Sequence, residues 1–344
     1  MVFQSAAPPD PVSNAPVKLT PKLKLQALGP NELPWHPDLA SHQTSPPDLS
    51  AFFEALFQEV RDHFNIPTSD IGTSKDSVTS RGKTYPVVVH KTKCVDREGL
   101  LWFGRRSEHE EGEPVGFENL RAVLMKEHER NEQEYTPAVY DVNVLVNWEG
   151  VVRGKDFCFK DAAVEDVEMR ITQMHHKMPG VGLNDRVFTV LLLSFLYRLT
   201  PSGDSPNVDT SEAIDVQLPI DLSLFPAPVL SRSHTHADIT PTSSTTSGPT
   251  SHPKLVYDNN DATATPEQKK RNGKDVVEGR YVSWEKLRRA EEGKTTEWTM
   301  RTASDAGGVL PAWMQRLGVP GAIAKDVPLA VRFAVERGEG GVEK

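Results

Sequence analysis

The sequence predicts an α+β fold in which several antiparallel strands are flanked by a helix at either end. Three observations carry this prediction. Residues 49–64 place apolar side chains at helical spacing, runs between residues 85 and 302 alternate apolar with polar side chains between turn-forming clusters, and residues 307–335 return to a helical stripe.

Taken in order, Asp48 stands directly after Pro46 and Pro47 as an N-cap. Leu49, Phe52, Phe53, Leu56, Phe57, Val60 and Phe64 then form one stripe that stops before Ile66 and Pro67. Residues 85–107 hold two β-rich runs separated by Asp96, Arg97, Glu98 and Gly99, which predicts a hairpin. Phe117, Leu120 and Leu124, set among the charges of 118–134, predict a one-sided helix on the surface of the sheet. Residues 139–148 satisfy a strand through Val142, Val144 and Val146 and a helix through Val139, Val142, Leu145 and Trp148, and periodicity leaves both open. Val167, Met169 and Ile171 alternate with Glu168, Arg170 and Thr172 as a half-exposed strand does. After a Pro179–Gly180 turn comes the longest apolar run, 187–197, read as a buried strand. Further strands are predicted at 213–222, 280–287 and 296–302, the last two joined by a charged tip containing Gly293. Finally, Gly307 and Gly308 mark a turn and Pro311 fits a first helical position. Leu310, Met314 and Leu317 open a stripe that continues through Ile323, Val327, Val331 and Ala334, with Pro320 predicting a kink or break near 318–321.

Composition sets the boundaries. Ten of the first 47 residues are proline, which predicts a disordered leader over 1–47. Residues 231–252 contain twelve Ser or Thr, and Tyr257 is the sole aromatic residue between 226 and 274, so 226–274 is expected to be a disordered insertion. The folded domain is then 48–336 with that interruption, followed by a flexible tail at 337–344. A net charge of −9 and a pI of about 5.7 argue against a nucleic-acid partner or an anionic membrane held by bulk positive charge. Cys94 and Cys158 are too few for a disulfide framework and suit a reducing, cytoplasmic compartment. No signal-type apolar stretch occupies residues 1–16, and the run 187–197 falls short of the roughly 20 residues a bilayer requires.

The search for chemistry is mostly negative. Neither a phosphate-cradling glycine loop nor a nucleophile elbow occurs. His234 and His236 have no third and fourth ligand at a usual spacing, so neither a metal nor a cofactor is expected. Of His175 and His176, adjacent in a strand, one faces the core and one faces away, as a general base, a polar anchor or an ordinary core histidine. Arg105, Arg106 and Arg186 lie in or beside strands, where an inward arginine requires a carboxylate or an anionic ligand.

Several segments together carry a resemblance: 102–107 (WFGRRS), 134–137 (EYTP), His176, 183–188 (LNDRVF), 279–282 (GRYV), Glu297–Trp298 and above all 303–328 (ASDAGGVLPAWMQRLGVPGAIAKDVP). With these the chain resembles a fungal START-like family, domain of unknown function 3074, and more loosely the lipid-transfer START domains. The resemblance implies a helix-grip fold, a curved antiparallel sheet around a long C-terminal helix with a mostly apolar cavity between them. It implies no established activity.

The resulting expectation is a binder, and in some form an intracellular carrier, of a hydrophobic small molecule such as a lipid or sterol, with transient membrane contact. The alternatives are a cyclase- or hydrolase-type enzyme in the same cavity, or a non-catalytic signalling or scaffold module. No catalytic residue is assigned. Strand parity nominates Phe103, Met169, Ile171, Phe188, Val190, Tyr281, Trp298 and Met300 as cavity residues facing Met314 and Leu317, with His176 and Arg186 as polar contacts.

Overall fold

The computed structural model describes residues 22–340 apart from 113, 156, 160–161, 179–182, 200–210, 238–253, 291–292, 306 and 308–311. The N-terminal stripe forms α1 (Leu49–Phe64), opened by Asp48, whose side chain accepts a hydrogen bond from the Ala51 amide at 3.0 Å. Its apolar face buries Phe52, Phe53, Leu56, Phe57 and Val60, each contributing roughly 1.5–3 kcal/mol relative to exposure.

The strands are β1 (Ser69–Ser80), β2 (Lys83–Val95), β3 (Leu101–Glu110), β4 (Val139–Asn147), β5 (Phe157–Phe159), β6 (Ala162–His176), β7 (Asp185–Leu199), β8 (Ser211–Pro219), β9 (Thr235–Ala237), β10 (Leu255–Tyr257), β11 (Asp275–Ala290) and β12 (Thr295–Asp305). They join one sheet whose main path runs β1-β2-β3-β12-β11-β8-β7-β6-β4. Pairing is antiparallel except where β11 meets β7 in parallel over Val276–Gly279. One face of the sheet is covered by α1. The other is covered by α2 (Phe117–Leu124), α3 (His128–Tyr135) and α7 (Ala312–Gly340), with α7 lying against β1, β2 and β3, while the single turn α4 (Glu149–Val152) follows β4. The arrangement is α+β, a large, almost wholly antiparallel sheet with the long C-terminal helix lying against it, as the sequence predicts.

The face toward α1 is filled with rings. Phe53 stacks on Phe157 at 4.9 Å, Phe57 on Phe159 at 5.0 Å, and Phe64 meets Trp284 edge-on at 4.6 Å. His63 accepts from Trp284 Nε1 at 3.0 Å, and burial pushes its imidazole down to about 4.

Several expectations need correction. Residues 22–47 are not an unpacked leader: Leu28, Leu33 and Leu39 are fully buried, and the prolines shape two 3-10 turns, Pro30–Glu32 and Pro37–His42. Residues 1–21 lie outside the described ones. Both described arms of the insertion also pack, as α5 (Ala227–Leu230), β9, β10 and α6 (Pro266–Arg271), because Tyr257 and Gln268 find buried partners. Residues 238–253 lie outside the described chain. The ambiguous stretch 139–147 is a strand, bulged between Val144 and Val146. The single helix expected over 118–134 is two, broken where Glu127 adopts φ 46°. Pro320 and Pro328 lie inside α7, which continues through both and extends past 337, where Arg337 donates to Asn131 Oδ1 at 2.8 Å.

Candidate functional site

Strand register assigns each side chain to a face. On the face toward α3 and α7, Asp215, Glu285, Met300 and Arg105 oppose one another across four strands, and Gln217, Ser283, Thr302 and Phe103 form the adjacent row. Four of these eight side chains carry a carboxylate, an amide or a guanidinium, so a polar band crosses a surface that burial would otherwise reserve for apolar groups.

The band is internally bonded. Arg105 Nη2 donates to Glu285 Oε2 at 3.2 Å, Trp298 Nε1 donates to the same oxygen at 2.6 Å, and the guanidinium lies 3.9 Å from the Trp298 ring centroid. Arg105 Nε and Nη1 have no hydrogen-bond partner, although the side chain is only 1% exposed. Ser194 Oγ and Gln217 Nε2 donate to Asp215 at 2.7 and 3.2 Å, and the Tyr281 hydroxyl donates to Gln217 Oε1. Burial pushes Asp215 up to about 6, with the His128 charge opposing it.

From α3, His128 places Nε2 3.4 Å from Glu132 Oε2. Burial would strip its proton, but Asp215, Glu132 and Glu285 together hold it protonated well above the ordinary histidine range. Burial likewise disfavours ionised Glu132, but the hydrogen bond to His128 and the charges of His128 and His176 together outweigh it and leave the carboxyl below its usual value. From α7, Asp326 completes the group: burial, then the Glu132 and Glu285 charges, push it up to about 7, while Arg105 pulls the other way.

Burial drives the Tyr135 and Tyr281 hydroxyls well above their ordinary range. Tyr135, Tyr281, His176, Phe188, Met300 and Asp326 are nonetheless only half-buried. This face is not the mostly apolar one that the resemblance implies for a cavity wall, because the Arg105–Glu285–Asp215 band crosses it.

Phe103, Phe188, Val190, Tyr281, Trp298, Met300 and His176 alternate onto this face. Met169 and Ile171 do not: they belong to the cluster packed under α1, and their neighbours Arg170 and Thr172 face the other way. Met314 and Leu317 fall in the first turns of α7, whose side chains lie outside the described residues. Arg186 is 2% exposed and bonds the Asn184 carbonyl, and burial lowers its basicity. His176 meets Phe188 edge-on at 5.2 Å, and burial holds its imidazole below the ordinary range. Residue reading missed Asp215, Gln217, Glu285, Glu132 and Asp326. Its available signal was a lone acid inside an apolar strand, as in AIDVQL and SWEKL.

Two other features lie apart from this band. Asp141, 2% exposed, accepts from Tyr257 Oη at 3.0 Å and Gln268 Nε2 at 2.7 Å and pairs with His234 Nδ1 at 2.6 Å, which fastens both insertion arms to β4. His234 is therefore bonded rather than solvated. An open cleft of about 490 Å³ lies beside the first half of β6, lined by Lys126, Glu149, Arg153, Lys155, Asp166 and Arg170 among others. Its mixed charges face bulk solvent. Among the described residues no group of three metal-ligating side chains occurs, and no helix is long and apolar enough to cross a membrane.

Residues 102–334 match the family described as "Protein of unknown function (DUF3074)". Among solved structures, human STARD10 is 14% identical, with a TM-score of 0.43 over 85% of this chain and 82% of its own. Human StAR-related lipid transfer protein 5 is 12% identical, with a TM-score of 0.40 over 84% of this chain and 97% of its own. No curated protein matches the chain.

Proposed function

We propose that the chain, which belongs to the DUF3074 family over residues 102–334, encloses a hollow between its sheet, α3 and α7 and binds an amphipathic lipid or sterol there. The observation that carries this reading is the set of side chains that are desolvated yet retain accessible surface, arranged around a polar band. Apolar ligand surface placed against Phe188 and Met300 gains roughly 25 cal/mol per Å² before the costs of association, with Phe103, Val190 and Trp298 packed behind them. The polar end of the ligand meets Asp326, which is half-buried and near neutrality carries a proton it can donate, and the unpartnered Nε and Nη1 of Arg105, buried beside it, turn toward an acceptor oxygen when one enters. A ligand lacking that oxygen leaves the donors as they are, so an alcohol, ester or acid is preferred over a hydrocarbon.

Exchange requires an opening, and the first half of α7 is suited to it. A Cβ placed on Gly318 or Gly321 would meet no atom within 4 Å, whereas Val327, Ala330, Val331 and Val335 are fully buried. The first half swings and the second half stays anchored.

A catalytic reading on the same hydrophobic substrate has one observation in its favour, the nearness of the His176 imidazole to the Glu132 carboxylate, which feel each other's charge. Incubation with mixed lipids followed by native mass spectrometry tests both readings. One lipid class retained at one molecule per chain is expected. A chain that emerges empty from every class contradicts binding, and a ligand recovered chemically unchanged removes catalysis.

A further inference from the structure

Phe188 stands where β7 and β11 run parallel, directly opposite Gly279 in register. A Cβ built on Gly279 would lie 2.9 Å from Phe188 Cζ and 3.0 Å from Cδ1, with Cε1 closer still. No side-chain carbon fits there, so the missing Cβ is what lets the ring rest over the β11 backbone. The backbone of Gly279 is not in the left-handed region, so glycine serves here for space and not for conformation.

The ring is held laterally as well. His176 meets it at 5.2 Å and 89°, and Tyr281 at 5.2 Å and 65°, both edge-to-face arrangements. With β11 behind it and a ring on either side, the half-buried ring is on the sheet face that carries Asp215 and Glu285. We infer that Phe188, seated on Gly279 between His176 and Tyr281, sets the bore of the hollow at this end and selects ligands by girth. The inference rests on the container reading above. Removing the ring widens the bore, and adding a methyl group at 279 drives the ring in the one direction left open, into the hollow.

The test uses the full chain and two dyes that share a fluorophore but differ in size, anilinonaphthalene sulfonate and its covalent dimer bis-anilinonaphthalene sulfonate. Both are titrated against the parent protein and against Phe188→Ala, Phe188→Leu, Gly279→Ala and the Gly279→Ala/Phe188→Ala double variant, each first shown to unfold cooperatively with heat. Phe188→Ala raises affinity for the dimer relative to the single dye by about tenfold. Phe188→Leu moves the ratio in the same direction by less, and it supplies the reading should Phe188→Ala fail to fold. Gly279→Ala lowers the ratio. The double variant behaves as Phe188→Ala does, because the new methyl group no longer meets a ring. Equal changes for both dyes, or a double variant that keeps the Gly279→Ala defect, overturn the inference and leave the container reading standing. A parent protein that binds neither dye overturns both.

Discussion

The two faces of the sheet are built from the same strands and solve opposite problems. Toward α1, Phe53, Phe57, Phe157, Phe195, Trp102 and Trp284 interlock with the helix, and each ring meets a partner. Toward α3 and α7, the same strands present Arg105, Asp215, Gln217 and Glu285 beside side chains that retain accessible surface. The first face has the chemistry of a closed core, where dispersion and hydrophobic transfer suffice. The second tolerates charges that cost stability unless paired, and it leaves two guanidinium donors unpaired. Both faces bury apolar side chains, the second through α2 and α7, and only the second carries a charged band across its strands.

The difference can be broken at its strongest point first. Trp284→Ala removes a ring that is 1% exposed and bonded to His63, and it lowers the unfolding free energy by about 4 kcal/mol in a denaturant titration. Ligand retention by the surviving folded fraction stays unchanged. On the other face, Arg105→Met leaves Glu285 buried and uncompensated, at a cost of about 3 kcal/mol. Combining it with Glu285→Gln, which keeps an acceptor for Trp298 Nε1, restores most of that stability while lipid binding stays weak. Stability and binding then separate on this face and not on the first.

A smaller effect appears in pH dependence. Asp326 is raised from an ordinary value of 3.8 to about 7, so the folded chain holds this proton more tightly than the unfolded chain does. Its contribution is complete below pH 3.8, declines as the pH climbs toward 7 and is flat above. The parent should therefore lose stability relative to Asp326→Asn across that window, by on the order of 2 kcal/mol in denaturant titrations at a series of pH values. Smallest is Asp48→Ala, which removes the N-cap of α1 and costs about 1 kcal/mol without touching the hollow.

What was legible in the sequence follows the same division. The stripe of α1 was readable because its core face repeats with the helical period, and the hairpin of β2 and β3 because Asp96 to Gly99 punctuates two β-rich runs. β1 was not readable: Ser69–Ser80 is mostly polar and exposed, and its strand character comes from pairing with β2. The packing of 22–47 was hidden because the leucines at 28, 33 and 39 have no period, and Leu28 bridges to Ile220, just past β8 and distant in sequence. On β6 the parity was assigned by taking apolar to mean hollow-facing. Met169 and Ile171 are apolar because they face the filled side, while Arg170 and Thr172 face the other. The polar band itself joins residues 105, 215 and 285, which only strand register brings together.

Tryptophan fluorescence tests the division most directly, because Trp298 lies on the hollow side and Trp284 and Trp102 lie on the filled side. Loading the protein with a lipid brominated along its acyl chain, a short-range quencher, should dim the emission. Trp298→Phe should then remove part of that quenching, and Trp284→Phe should remove none. Quenching that survives Trp298→Phe and vanishes with Trp284→Phe, or a brominated lipid that quenches nothing, would contradict a guest lodged between the sheet and α7.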